Sequence, residues 1–368
     1  MIIWSLMIQL GLAHFPPISR IPAPQPLHEP YLKTLHSQNS NQILFNRLNS
    51  YRYNLCNPYM MKNSLFAVLF FCAIYGYTQG HFPLKKDKSQ KFLVDDKNQP
   101  FLIKQFSAWG LLQALSEEEE GAYLDSLKVE GFNAVMTSIV SNASSQMGGN
   151  PPYWQGISPF TVQWDFSTPN EEYFKHVDRF LKMAAEKDFL VMLVPCYLGY
   201  FTDPDQGWWD EVRSEHNSPQ KMRNYGEFLG KRYKDTPNIL WIAGGDNDAK
   251  GVDEAYMRNL IEGIKTYDKS HLWTGHFCNT SGNFWSTYNP LYREIMDIDG
   301  HYVWEEGSLG DKGPQYVTEL EQYHKGKMII QLDQSYEHDV PHAADNENPQ
   351  WIRRKMYDGL LSGCAGTS

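Results

Sequence analysis

Cysteine is scarce in this chain, five in 368 residues, and only Cys196, Cys278 and Cys364 lie beyond Gly80. An odd number without Cys-x-x-Cys spacing excludes a disulfide framework and a zinc ribbon. All three stand at or near the ends of apolar runs, where a thiol acts as a small hydrophobe. The sequence has no HExxH and no acidic calcium loop, and its histidines are scattered, so neither a metal nor another cofactor is called for. No apolar run approaches the ~18 residues of a membrane span, so no stable span is expected. Basic residues are also in short supply, 33 Lys and Arg against 43 Asp and Glu. From Gly80 onward the balance is 28 against 42, a formal charge of −14. Such a surface repels nucleic acid and anionic membranes.

The longest apolar stretch, Leu65 to Tyr75, belongs to MKNSLFAVLFFCAIYGYTQG, which opens at Met61 with a single Lys62 and ends in small or polar residues at Gly80. This is the three-part layout of a secretory signal placed internally. Residues 1–60 lack sustained periodicity and read as a spurious upstream extension, 61–80 as a signal peptide, and 81–368 as the working domain. A secreted, periplasmic or cell-surface location follows. Cys72 lies inside the apolar run, but the bulky Phe70 and Phe71 argue against lipidation.

About 290 residues then remain, enough for one large domain. Along them, apolar β-branched runs alternate with helical patterns. PFLIK (Pro100 to Lys104) reads as a strand. Ser116 to Gly131 reads as a helix with Ser116 as its N-cap, glutamates in the first turn and Gly131 at its end. AVMTSIV from Ala134, LVMLVPC from Leu190, NILWIAG from Asn238, HLWTGHF from His271, IMDIDGHY from Ile295 and MIIQLD from Met328 continue the strand series. Helices start at Asn170 and at Ser218, where Pro219 suits the first helical position. Seven strands with helices between most of them, without hairpin signals, predict an α/β fold of the (β/α)8 TIM-barrel type. The run Leu360 to Ser368 ends the seventh helix and approaches an eighth strand, which is expected to be missing, leaving the barrel incomplete at its C-terminal end.

Two acid-bearing segments close strands: WIAGGDND (Trp241 to Asp248) and IIQLDQSYEHD (Ile329 to Asp339). Loops after barrel strands carry the chemistry, and carboxylates from two strand ends can face each other across one cleft. These loops are also aromatic, holding Trp109, Trp154, Trp164, Trp208 and Trp209. Such rings either stack on sugars or fill the core.

From about His81 onward the chain resembles the DUF4038 group of apiosidase-like glycoside hydrolases. The resemblance rests on QPFLIKQFSAW, EGFNAVMTSIV, the helix from Asn170 with its strand, HLWTGHF, DGHYVWE, DQSYEHD and RRKMYDGLLSGCAG. Its most specific piece is YGEFLGKRYKDTPNILWIAGGDND, Tyr225 to Asp248. The resemblance implies a barrel that removes apiose from plant pectin by a two-carboxylate mechanism, with an oligo- or polysaccharide as substrate. It implies Asp246 as acid/base, against the bland reading of a loop-ordering aspartate. The family pattern near the seventh strand is similar to Glu-Pro-x-Tyr-Glu, and this chain has Asp333, Gln334, Ser335, Tyr336 and Glu337. Losing one methylene withdraws a carboxylate by about 1.5 Å, and a shift of ~1 Å can cost ~100-fold in rate. Three readings therefore stand: Asp333 as nucleophile in a reshaped site, Glu337 as nucleophile supported by Asp333, or an activity reduced or lost. A non-catalytic carbohydrate-binding barrel and an inactive fragment are the alternatives to a hydrolase.

For substrate binding, Asn247, His276 and His301 either bond sugar hydroxyls or hold structure. Trp109, Trp154 and Trp208 are candidate stacking walls, and Tyr336 stands ready to orient a neighbouring acid. The family's acid-Thr-Ala-Trp is replaced by Phe106, Ser107, Ala108 and Trp109, which predicts a lost polar contact and a moved substrate preference.

Overall fold

The computed structural model describes residues 82–140, 154–199, 212–247, 249, 251–277, 285–302, 315–332 and 349–367. They begin with a small antiparallel ribbon, β1 (Lys85–Lys86), β2 (Leu93–Val94) and β3 (Pro100–Phe101). The barrel strands follow: β4 (Ile103–Ser107), β5 (Ala134–Ser138), β6 (Leu190–Val194), β7 (Ile239–Gly244), β8 (Trp273–His276), β9 (Asp299–His301), β10 (Ile329–Gln331) and β11 (Gly366–Thr367). The predicted strand over Pro100 to Lys104 is thus divided. Its first two residues complete the ribbon, and the barrel strand begins at Ile103.

Parallel ladders join β11, β4, β5, β6, β7 and β8 in that order, and β9 pairs in parallel with β10. Hydrogen bonds link the two sets: Asp297 N–H (2.9 Å) and Ile298 N–H (3.1 Å) donate to the Trp273 carbonyl, and Ala365 N–H to the Ile329 carbonyl (2.7 Å). The expected absence of an eighth strand is therefore corrected. Gly366 and Thr367 lie in register with Ile103 and Lys104, so the eighth place in the ring is taken by a two-residue strand.

Strand alternation sorts side chains into two layers. Inside are Ile103, Ala134, Met136, Leu190, Met192, Leu240, Ile242, Ile330 and Leu332; Leu84 and Leu93 of the ribbon region join them beside Ile103 and Ala365, capping the end where the strands start. Outside, Val135, Val191, Leu193, Ile239, Trp241 and Trp273 meet the helices. Cys196 and Cys364 are buried, and Cys278 lies outside the described residues.

The helices form where the local signals call for them. In α2 (Glu117–Glu130), which follows the short α1 (Leu111–Ala114), Ser116 and Glu119 make a reciprocal capping box, and Gly131 ends the helix at φ 92°. Asn170 caps α3 (Glu171–Glu186), and Ser218 caps α4 (Pro219–Tyr233) with Pro219 in its first turn. Next, α4 lies against α5 (Glu254–Tyr267) along a seam of Gly226, Gly230 and Gly263. A methyl at Gly226 would run into the Leu260 carbonyl and the Gly263 and Ile264 backbone. Alanine normally strengthens a helix by about 1 kcal/mol over glycine. Here, backbone that cannot move aside reverses the sign, and Gly226→Ala is expected to destabilise by roughly 1–3 kcal/mol, measurable in urea unfolding.

Candidate active site

The C-terminal ends of the strands converge on a small aromatic and acidic cluster. Trp109 follows β4 and is pinned to β5: its carbonyl accepts from Ser138 Oγ (2.7 Å) and Ser138 N–H (3.1 Å). Tyr197 follows β6, Asp246 follows β7, His276 ends β8 and Tyr302 follows β9. The Trp109 ring lies 4.9 Å from Tyr197 and 4.9 Å, edge-on, from His276, and His276 lies 4.3 Å from Tyr302.

Asp246 reaches this cluster through an unusual turn. Gly244, Gly245 and Asp246 have φ of 90°, 85° and 62°, three successive left-handed residues. Glycine adopts this without penalty, whereas aspartate does so at a modest cost that the surroundings must offset. The turn is held on both sides. Leu198 N–H donates to the Gly244 carbonyl (3.2 Å), Gly199 N–H to Gly245 (3.1 Å), and Gly245 N–H to the His276 carbonyl (3.1 Å). A side chain on Gly245 would run into the Tyr197 ring, and one on Gly244 would come within 2.6 Å of Phe277. Both glycines are thus required by close approach as well as by φ.

The resulting aspartate is 6% exposed. Its Oδ2 accepts a 2.6 Å hydrogen bond from the Tyr197 hydroxyl. Its Oδ1 lies 3.1 Å from His276 Nδ1, which itself accepts from the Asp246 N–H at 3.3 Å. Among the described residues, Asp246 Oδ1, His276 Nε2 and Trp109 Nε1 are buried without a hydrogen-bond partner. Each such atom costs about 1–3 kcal/mol when left unmatched. Three in one cluster mark a place completed by water or a ligand. The two nitrogens are donors and the carboxyl oxygen is an acceptor or, when protonated, a donor, and a sugar's hydroxyls complement either.

The other sequence candidates are distributed differently. Asn247 orders its own loop, its Oδ1 accepting from Ala249 N–H at 2.9 Å. His301 points away from the cluster toward the helical layer, where it stacks on Trp285 (4.0 Å) and its Nδ1 meets Glu319 of α7 (Gln315–His324, preceded by the short α6, Pro290–Arg293) at 3.0 Å. Trp154 is also in the outer layer, stacked on His176 at 4.0 Å with its Nε1 donating to the Leu115 carbonyl. Phe106 packs edge-on against Phe132 and Tyr123. The expected loss of a polar contact at this position therefore falls in the outer layer, not in the pocket. Asp333, Tyr336, Glu337 and Trp208 lie outside the described residues, and so do Asp248 and Trp209. Among the described residues, no group of three or more His, Cys, Asp or Glu side chains is placed to hold a metal, and no helix is long and apolar enough to cross a membrane.

Sequence reasoning missed Tyr197 and Tyr302. A signal existed for the first, since Tyr197 stands three residues past the last residue of β6, where loop chemistry begins. The second depended on parity. With Gly300 turned inward against Leu332 and Thr274, His301 faces outward and Tyr302 returns to the interior.

Several glycoside hydrolases of known structure share this fold. One such structure superposes with a TM-score of 0.59 at 21% identity, over 79% of this chain and 65% of its own. A family 5 glycoside hydrolase from Bacteroides vulgatus gives 0.59 at 23% identity, over 77% of this chain and 61% of its own. An exo-β-1,4-mannosidase from an Opitutaceae bacterium gives 0.56 at 12% identity, over 77% and 54%. At such identities the likeness is one of fold, and the matched chain spans between about half and two thirds of each of these proteins. No curated protein matches the chain in sequence. The family model described as "Apiosidase-like, catalytic domain" matches residues 87–368, and the chain belongs to the apiosidase-like family.

Proposed function

We infer that this protein hydrolyses glycosidic bonds, with Asp246 as the acid/base. The observation that carries this reading is the buried Asp246 carboxyl at the mouth of the barrel, one oxygen held by Tyr197 and the other left without a hydrogen bond beside an aromatic wall. As the bond between the anomeric carbon and the leaving oxygen breaks, that oxygen takes the proton from Asp246. The second carboxylate, Asp333 or Glu337, supports the anomeric carbon from the opposite face, covalently or as an ion pair. Both belong to the segment immediately after β10, three strands around the ring from β7. The orphaned Trp109 Nε1 and His276 Nε2 bind hydroxyls of the sugar that is cleaved. Membership of the apiosidase-like family favours a pectic side chain with a terminal pentofuranose as substrate. The segment 61–80 supports secretion to the periplasm, the cell surface or the medium.

The test is release of free sugar from pectic side chains and from a panel of aryl pentosides by the full chain. Release that disappears in Asp246→Asn supports the reading. Saturable glycan binding by a folded protein with no turnover on any substrate would instead identify a carbohydrate-binding barrel, the outcome favoured by aspartate standing at 333 where the family has glutamate.

A further inference from the structure

We propose that Tyr197 is a positioning residue that makes the two oxygens of Asp246 unequal, reserving Oδ1 as the one that gives and takes the proton; this rests on the hydrolase reading above. A carboxylic acid donates best when its proton sits on the oxygen facing the leaving group. An unrestrained aspartate presents either oxygen. In this site Oδ2 is committed as acceptor of the Tyr197 hydroxyl at 2.6 Å. The acid proton is therefore carried on Oδ1, the oxygen with no hydrogen-bond partner.

The arrangement is built into the fold at several levels. Tyr197 is fully buried, and its ring is fixed by Trp109 at 4.9 Å. Tyr197 and Asp246 stand on neighbouring strand extensions joined by the Leu198–Gly244 and Gly199–Gly245 hydrogen bonds. Gly245 leaves the space that the tyrosine ring occupies. On the other side, His276 Nδ1 receives the Asp246 N–H, which leaves its one ring proton on Nε2. The Nδ1 lone pair then faces Oδ1 at 3.1 Å. Protonating Oδ1 removes its charge and weakens that repulsion, and because the Nδ1 lone pair is already taken by the Asp246 N–H, the Oδ1 proton stays available to the leaving oxygen. Tyrosine and histidine thus both favour the same protonated oxygen. During cleavage the Oδ1–H bond breaks, the leaving oxygen gains the proton, and the resulting carboxylate keeps the Tyr197 hydrogen bond. When water attacks in the second half of the reaction, its proton returns to Oδ1.

The experiment is a leaving-group series of aryl glycosides, from dinitrophenyl to phenyl, hydrolysed by the parent full chain, Tyr197→Phe and Asp246→Asn. Poor leaving groups need proton donation and good ones need little. Removing the Tyr197 hydroxyl is expected to lower kcat/KM on the phenyl glycoside by about 10- to 100-fold, and by at least tenfold less on the dinitrophenyl glycoside. A purely structural tyrosine would lower both alike, and an equal loss, or none, would overturn the proposal. Asp246→Asn separates this from the underlying reading. If Asp246→Asn steepens the leaving-group dependence and Tyr197→Phe does not, the tyrosine role falls and the acid assignment stands; if neither does, both fall. Melting curves accompany the series. Should Tyr197→Phe fail to fold, a fluorotyrosine at position 197, which keeps the ring and the hydroxyl, replaces it. A changed leaving-group dependence then supports the proposal, and an unchanged one overturns it.

Discussion

Asp246→Asn is expected to slow hydrolysis of an unactivated glycoside by about 100- to 10,000-fold while leaving the protein folded. The side chain occupies a buried site with its turn in place, and asparagine has the same shape. The Tyr197 hydroxyl at 2.6 Å donates equally well to an amide oxygen, so the structural contact survives the change. What disappears is the ability to give up a proton at the position of Oδ1. Binding is expected to persist, since the aromatic rings of Trp109 and Tyr302 and the donor of His276 are untouched. Initial-rate kinetics on a natural linkage, with a melting curve for the same preparation, distinguish the outcomes. An unfolded variant would point to a structural aspartate, and a folded variant with parental rate would remove Asp246 from the mechanism.

The second large effect is on stability and lies in the helical wall. Glu120 of α2 is fully buried beside His176 of α3, their nearest atoms 3.3 Å apart. Burial pushes the Glu120 carboxyl up from 4.5 to about 9, with Glu117 adding to the rise, and pushes the His176 imidazole down from 6.5 to about 4. Arg179, in contact with Glu117, opposes the first shift and adds to the second. Both groups are therefore uncharged in the folded protein near neutral pH.

The two shifts act in opposite senses on stability. For Glu120 the folded value is raised, so its contribution is complete below 4.5 and is lost as pH rises to about 9. For His176 the folded value is depressed, so its contribution is complete above 6.5 and is lost as pH falls toward 4. Between 4.5 and 6.5 the two slopes offset each other. Above 6.5 only the Glu120 slope remains, and stability is expected to fall steadily up to about pH 9. Glu120→Gln removes that slope while keeping the shape. Its advantage over the parent is expected to grow from near zero at pH 4.5 to roughly 4–5 kcal/mol at pH 8. Urea unfolding at pH 5.5 and 8 measures it. A gap that does not widen with pH would mean that Glu120 is ionised in the fold.

Much of the architecture was legible along the chain because its signals are local. Ser116 with Glu119, Asn170, and Ser218 with Pro219 start helices through backbone groups within one turn of themselves. The runs from Ala134, Leu190 and Asn238 announce buried parallel strands because both of their faces are covered. Asp246 was singled out from sequence because it ends a recognisable strand inside the segment that most resembles the family, Tyr225 to Asp248. Pro100 to Lys104 misled because a single apolar run serves two sheets, and nothing within it marks the break at Leu102.

The sequence by itself determined the order of strands and helices, the caps and the acidic character of the surface, since each depends on composition or on residues close together in the chain. Only the tertiary structure decided which of those residues face one another. The eighth strand is two residues long and gains its identity from Ile103 on one side and Ile329 on the other, far apart in sequence. His301 and Trp154 carry the right chemistry for a sugar site, yet face the helices, because strand parity and outer-layer packing against Glu319 and His176 direct them there. Tyr197 and Asp246 became a pair only when neighbouring strands were zipped into register, which brings side chains 49 positions apart to within 2.6 Å.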